Sequence, residues 1–184
     1  MVGAVVTTLA DEYERVCRTP SDIWLHLPRF VEMVRRLDAQ HVVELGTRSG
    51  VSTVAWLHGL SQTGGRLTSV DIDVRPDIGE FEHWSFVQGS DLDPAVIDQL
   101  DECDICFVDT SHLYDHTCAE LRIYRHLVRP GGLLVCHDTM LERPEGAPAR
   151  PKFPVARAVE EFCAEEGLAW RNIPECWGLG IIQL

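Results

Sequence analysis

Positive charge is what this chain lacks most. Its 29 aspartates and glutamates outnumber 16 lysines and arginines, and the formal net charge is −13 at pH 7. Nucleic acid and anionic membrane surfaces would be repelled, so neither is expected as a partner. Long hydrophobic runs are missing as well. None approaches the roughly 20 residues that a membrane-spanning helix needs. The segment Met1–Ala10 is mildly apolar but has no basic leader, and Asp11 and Glu12 follow it. A secretory signal is therefore not expected, and a cytoplasmic location is. There is no internal repeat or low-complexity block. Nor is there an even set of cysteines to suggest a disulfide framework. The seven are scattered, and Cys103, Cys106, Cys136 and Cys163 sit inside apolar runs, as reduced core thiols would. Cys103-x-x-Cys106 has redox-motif spacing, but it falls within an expected strand rather than at a helix start.

What is present is an ordinary globular composition, 45% apolar over 184 residues, enough for one domain spanning 1–184. Residues 11–38 read as two helical pieces broken near Thr19-Pro20, forming an N-terminal helical cap over 1–39. Ser21 or Asp22 would cap the second piece, whose inward face carries Ile23, Leu27, Phe30, Val31 and Val34. Five strands then alternate with helices. The strands are expected at 41–45, 66–71, 84–88, 103–109 and 133–136, and the helices at 51–58, 94–100 and 115–127. Pro130-Gly-Gly132 reads as a helix stop. A Pro- and Gly-rich loop at 141–154 is long enough to be a lid or an acceptor-binding edge. A helix at 155–166 and a hairpin of strands near 169–173 and 178–184 complete the chain. This alternation predicts a parallel sheet covered on both faces, with ligands outside the carboxyl ends of its strands.

The run His41-Val-Val-Glu-Leu-Gly-Thr-Arg-Ser-Gly-Val-Ser-Thr53 reads as a buried strand, a glycine turn and a helix start. Such a turn lets backbone N–H groups approach a ligand. Glu44 at the strand end disfavours a phosphate and favours a cationic group. Glu44, Asp71, Asp91, Asp109 and Asp138 all fall at or just past strand ends, a gathering of acids on one rim that solvation alone does not explain.

The order strand, Glu-Leu-Gly-Thr-Arg-Ser-Gly, helix, strand, Asp71 resembles the class I S-adenosylmethionine (SAM)-dependent methyltransferases over roughly residues 40–184. A second block, Phe107-Val-Asp-Thr-Ser-His-Leu-Tyr-Asp115 with Arg129-Pro-Gly-Gly-Leu-Leu-Val-Cys-His-Asp-Thr139, is similar to the metal-dependent small-molecule O-methyltransferases. It looks closest to the branch with macrolide-sugar, rhamnosyl and cephamycin-pathway enzymes, with catechol O-methyltransferase more distant. The paired Asp-x-x-His and His-Asp motifs are more specific than the glycine turn. The resemblance implies a Rossmann-like, doubly wound α/β fold with a seven-stranded, mostly parallel sheet and a C-terminal antiparallel strand. It implies that Glu44, Gly46, Thr47, Ser49, Gly50 and Ser52 hold the methionine portion of SAM. Asp71 would take the ribose hydroxyls, and Ser90 and Asp91 would face the adenine, with Asp109 also at the cofactor. The chemistry is consistent, since one carboxylate can accept from both hydroxyls of a vicinal diol.

The same resemblance implies a divalent cation held by Asp109 and Asp138, which as hard oxygen ligands suit Mg²⁺. His137 stands where those enzymes carry a third, acidic or amide ligand. As a ligand it would tilt the site toward Mn²⁺, Fe²⁺ or Zn²⁺; otherwise it packs beside the site. His112 would be the general base, since neutral imidazole can take a hydroxyl proton near neutral pH. The alternative for His112 is a cap or loop role. Asp115 reads as the cap of the next helix, and His116 either lines the acceptor pocket or is exposed. A zinc hydrolase built from Asp109, His112, His116, His137 and Asp138 would leave Glu44 and Asp71 without a role. Trp24, His26, and the loop residues Arg143, Arg150 and Lys152 are open between acceptor contact and ordinary packing or solvation, while Trp177 is expected in the core. The expected activity is O-methylation of a sugar hydroxyl in a glycoside, oligosaccharide or polysaccharide precursor. The alternatives are a catechol-type phenolic acceptor or an inactive SAM-binding module. A homo-oligomer, most simply a dimer, is expected from the family.

Overall fold

The computed structural model describes residues 8–142 and 152–184. Helix α1 (Leu9–Arg18) opens on a capping box: the Thr8 hydroxyl accepts from the Asp11 N–H, and the Asp11 carboxylate accepts from the Thr8 N–H. Helix α2 (Leu27–Leu37) begins later than a Ser21 or Asp22 cap would place it. A 3₁₀ turn at Trp24–His26 intervenes, and Pro28 occupies the first turn of α2, where its missing N–H is not needed. Asp22 instead pairs with Arg48 at 2.7 Å. The expected inward residues, Ile23, Leu27, Phe30, Val31 and Val34, are all buried.

The remaining elements are β1 (His41–Leu45), α3 (Val51–Leu60), β2 (Arg66–Asp71), β3 (Trp84–Gln88), α4 (Pro94–Ile97), β4 (Cys103–Val108), α5 (Tyr114–Tyr124), β5 (Val128–His137), α6 (Pro154–Glu166), β6 (Trp170–Ile173) and β7 (Leu179–Gln183). They form one seven-stranded sheet in the order β3-β2-β1-β4-β5-β7-β6. Neighbouring strands from β3 through β5 pair in parallel, and β7 runs antiparallel to both β5 and β6. Alternation along each strand divides the core between two faces. Val42, Leu67, Ile105, Phe107 and Val135 pack under α1, α2 and α3. Val43, Val70, Cys106, Leu134 and Cys136 pack under α4, α5 and α6. The cysteines are free thiols. Burial pushes the Cys103 thiol up to about 12 and Cys106 well above its ordinary value, so neither is a ready redox nucleophile.

Several boundaries differ from the sequence reading: α3 runs on to Leu60, β4 stops at Val108, and α5 spans Tyr114–Tyr124 rather than 115–127. Strand β5 starts at Val128 rather than Leu133, because Val128 pairs with Cys103 and the register then shifts before Ile105 pairs with Leu133. Arg129–Gly132 is thus an irregular strand start rather than only a helix stop. Helix α4 ends at Ile97 instead of Leu100.

The strand order reverses at β1, with β2 and β3 on one side and β4 and β5 on the other. In open α/β sheets a crevice forms at the carboxyl ends of the strands flanking such a reversal.

Candidate active site

The crevice is built on one close approach. Gly46, just past β1, has φ +87°, and a Cβ there would lie 2.0 Å from the Asp109 carbonyl oxygen. The Gly46 N–H donates to the Val70 carbonyl, and the Asp109 N–H donates to the Leu45 carbonyl. Glycine therefore lets the turn after β1 press against the end of β4. Gly50, at φ +81°, starts α3.

A cleft of about 480 Å³ opens over this contact, lined by Gly46, Thr47, Arg48, Val70, Asp71, Ile72, Asp73, Gly89, Ser90, Asp91, Asp109, Thr110, Ser111, His112 and His116. Seven expected site residues are in its wall: Gly46, Thr47, Asp71, Ser90, Asp91, Asp109 and His112. Glu44, Ser49, Gly50, Ser52, His137 and Asp138 are not in it. Glu44 is fully buried and accepts from the hydroxyls of Ser52 (2.7 Å), Thr53 (2.8 Å) and Ser69 (2.6 Å). Burial raises its carboxyl to about 7, despite those three hydrogen bonds. Its place is behind the glycine turn, tying β1 to α3 and β2.

Asp71 reaches the same turn from β2. Its Oδ2 accepts from the Thr47 N–H (2.7 Å), the Thr47 hydroxyl (2.9 Å) and the Arg48 N–H (3.0 Å), while Oδ1 accepts from the Asp73 N–H (3.0 Å). Burial opposes ionisation here, but these donors outweigh it and hold the carboxyl below its ordinary value. Oδ1 retains accepting capacity toward the cleft.

Four titratable groups meet past the ends of β4 and β5. His112 Nε2 lies 2.8 Å from Asp138 Oδ2 and 3.3 Å from Asp109 Oδ1. His137 Nδ1 lies 3.2 Å from Asp138 Oδ2 and 3.5 Å from Asp109 Oδ1. His112 and Asp138 have left-handed backbones, φ 56° and 59°, a strain of the kind that collects at functional sites. Burial alone would lower both imidazoles, but the two carboxylates outweigh it and push His112 up to about 9 and His137 up to about 10. Burial works against Asp109 and Asp138 as well, yet the same two histidines beside them hold both below the usual carboxylate range.

The donor set suits a cation. His137 Nε2 is 2.9 Å from the Cys176 carbonyl, an acceptor, so this nitrogen carries the proton. In the neutral ring, Nδ1 is then a lone pair facing two carboxylates. Nδ1 of His137 and Oδ1 of Asp138 are buried without a hydrogen-bond partner. Asp109, His137 and Asp138 bring one ligand atom each within 4.8 Å of one another. Two hard oxygens and one imidazole nitrogen fit a divalent ion, with Nε2–H anchored to a carbonyl as metal-bound histidines commonly are.

Two other expectations are corrected, and several open ones are resolved. Asp115 is not the cap of α5; Leu113 holds that position, and Asp115 sits in the first turn, where its charge complements the helix dipole. Trp177 is 51% exposed rather than core. It lies in a strained turn, with φ 44° at Cys176 and 63° at Trp177, and its carbonyl accepts from the Met140 N–H at 2.6 Å. His26 is buried, with Nε2 2.8 Å from the Glu175 carbonyl. His116 lines the cleft. Arg143 and Arg150 of the expected lid loop lie outside the described residues, and Lys152 pairs with Glu142 at 3.0 Å. Arg48 and Glu120 were missed. Glu120 carried a readable signal: Thr117, Glu120, Leu121 and Tyr124 share the buried face of α5 at helical spacing.

A sheet in this order, with a glycine turn after β1, an acid ending β2 and a further acid past β4, defines a class I methyltransferase. The chain belongs to the methyltransferase-domain family Methyltransf_24, which it matches over residues 43–139. It is 26% identical over 148 residues to the rhamnosyl O-methyltransferases of Mycobacterium tuberculosis and Mycobacterium bovis, a match covering 74% of this chain. The chain spans 58% of the length of those relatives. Among solved structures, MycE methyltransferase from the mycinamycin biosynthetic pathway, in complex with Mg and S-adenosylhomocysteine (SAH), aligns with TM-score 0.72 at 16% identity, covering 95% of this chain and 53% of that one. SAH-bound PaMTH1 from Podospora anserina aligns with TM-score 0.67 at 18% identity, covering 95% and 86%. No helix among the described residues is long and apolar enough to cross a membrane.

Proposed function

We propose that this chain is a SAM-dependent O-methyltransferase that methylates a sugar hydroxyl, assisted by a divalent cation, with His112 as general base. The observation that carries the reading is the meeting of Asp109, His112, His137 and Asp138 at one edge of the cleft. The rhamnosyl relatives support the saccharide acceptor. In this reading the cleft takes the cofactor, with Asp71 facing the ribose, Ser90 and Asp91 the adenine, and the Gly46-Thr47 backbone and Asp109 the cationic end. Glu44 and Ser52 act from behind by fixing the turn.

Asp109, Asp138 and Nδ1 of His137 would hold the cation. When bound, it supplies Lewis-acid polarisation that lowers the pKa of a ligated hydroxyl. His112 does the proton work. Alone between two carboxylates it is held as imidazolium. Once their charge is otherwise compensated, it returns to the neutral form and accepts the hydroxyl proton. Holding the acceptor oxygen in line with the sulfonium methyl supplies much of the rate. Exposed Leu113 and Met140 stand next to His112 and near Asp138 in the chain, exposed Trp177 meets Met140 through a backbone hydrogen bond, and together they offer an apolar, aromatic surface to a sugar ring.

The test is transfer of a labelled methyl group from SAM to a panel of saccharides and catechols, with and without chelator. The expected result is transfer to a saccharide that chelator abolishes and Mg²⁺ or Mn²⁺ restores. Transfer to catechols alone would replace the sugar reading. SAH binding without transfer to any acceptor would favour a binding module.

A further inference from the structure

Asp91 and His116 both line the cleft, and buried Glu120 and Tyr124 are not part of its wall. Oδ1 and Oδ2 of Asp91 are 3.2 and 3.0 Å from Nε2 of His116. The Tyr124 hydroxyl donates to the Asp91 backbone carbonyl at 2.8 Å. One turn along α5 from His116, Glu120 is fully buried. Its Oε1 accepts the Thr110 hydroxyl at 2.5 Å and stands 3.6 Å from His116 Nε2. Its Oε2 has no hydrogen-bond partner. Asp91, His116 and Glu120 bring one ligand atom each within 4.8 Å of one another.

Two facing carboxylates would repel, and a buried acceptor without a donor is costly. One proton on Oε2 removes both problems. The orphaned oxygen becomes a donor, Asp91 becomes its acceptor, and the pair keeps a single charge. Burial drives the Glu120 carboxyl the same way; Thr110 and His112 oppose, Asp91 adds, and the outcome is about 9. The other groups facing Glu120 are Cys106 on β4, Cys136 on β5 and Tyr124 on α5, each raised by burial and so neutral where Glu120 titrates.

We propose that Glu120 is a positioning residue for Asp91: its proton, donated from the buried side, leaves Asp91 an oriented acceptor for the 6-amino group of the cofactor's purine. The proposal rests on the reading of Asp91 as the adenine contact. It makes the cleft selective for a 6-amino purine, because a 6-oxo purine would present a carbonyl oxygen to that carboxylate.

The experiment is calorimetry with three probes: SAH, its deaminated analogue S-inosylhomocysteine, and 5′-methylthioadenosine, which carries adenine without the titrating amino-acid group. Wild type binds SAH and rejects the inosyl analogue. Its affinity for 5′-methylthioadenosine falls about tenfold between about pH 7 and about pH 10, as Glu120 ionises. Glu120→Gln keeps a donor at every pH, so it retains the neutral-pH affinity and loses the fall. Glu120→Leu, checked for folding by near-ultraviolet circular dichroism, binds about tenfold more weakly at neutral pH. If the leucine variant does not fold, the glutamine pH profile still decides. A Gln variant with the wild-type profile, or a folded Leu variant with wild-type affinity, overturns the role of Glu120. Co²⁺ binding that persists in Asp138→Asn and vanishes in Glu120→Gln also overturns it, by placing a cation where the proton is proposed. If wild type does not bind SAH at all, the adenine reading itself falls. If wild type binds SAH and the Glu120 variants match it, only the positioning role falls.

Discussion

Gly46→Ala tests the contact on which the site is built, and Gly64→Ala provides its control. Both glycines have a positive φ, +87° and +75°. An L-residue held there costs about 1–2 kcal/mol. A Cβ at Gly64 meets nothing within 4 Å, so that variant should lose only this amount. At Gly46 the Cβ would lie 2.0 Å from the Asp109 carbonyl oxygen. That atom is backbone and cannot swing aside, so overpacking adds about 1–3 kcal/mol. The total for Gly46→Ala is about 2–5 kcal/mol. With a urea m-value of about 2 kcal/mol per M, the unfolding midpoint should drop by about 1–2.5 M, against about 0.5–1 M for Gly64→Ala. Calorimetry on whatever Gly46→Ala remains folded should show weakened SAH binding, because Asp109 has been displaced; Gly64→Ala should bind normally. Equal midpoints and equal SAH affinity for the two variants would refute the claim that this approach holds the site together.

His112→Ala should lower kcat by about 10²- to 10⁴-fold while calorimetric SAH binding persists; unchanged turnover would remove it as the base. Asp138→Asn should raise the metal concentration needed for half-maximal activity, and an unshifted titration curve would exclude Asp138 as a ligand. The metal-free protein should also show a pH-dependent melting temperature. His112 and His137 titrate at about 9 and about 10 when folded, against an unfolded value of about 6.5. Their contribution to stability is therefore complete below about pH 6.5 and is lost as the pH rises through about 9 to 10. Differential scanning calorimetry should find Tm lower at about pH 10 than at about pH 7, and the fall should be smaller in His137→Gln; a flat profile would contradict the ion pairing described.

Most of the fold was legible because buried parallel strands carry near-continuous apolar runs. His41–Leu45 is buried at every position and was bounded correctly. Strand β5 was misjudged at its start because Pro and Gly mark a break in local propensity, whereas a long-range pairing with Cys103 sets the boundary. Asp71, Asp109 and Asp138 could be placed together because each lies at or just past the end of a strand. Side-chain direction was harder. Period-two alternation puts Glu44 on the same face as Val42, toward α3 and away from the crevice, and that signal was available but outweighed by the charge argument. The exposure of Trp177 could not be read, since it depends on successive left-handed residues at Cys176 and Trp177 that no local residue preference favours.

Strand β7 lies between β5 and β6, although it is the last strand in the chain. The turn that precedes it supplies the carbonyls of Glu175 and Cys176 that fix the rings of His26 and His137. Docking the local β6–β7 hairpin onto β5 joins segments far apart in sequence, a slow kind of step because the loop entropy is spent before the contacts form. An intermediate with β1 to β5 already assembled would have a nearly complete sheet but a swivelling imidazole at position 137. Catalytic competence should then appear later in refolding than secondary structure does.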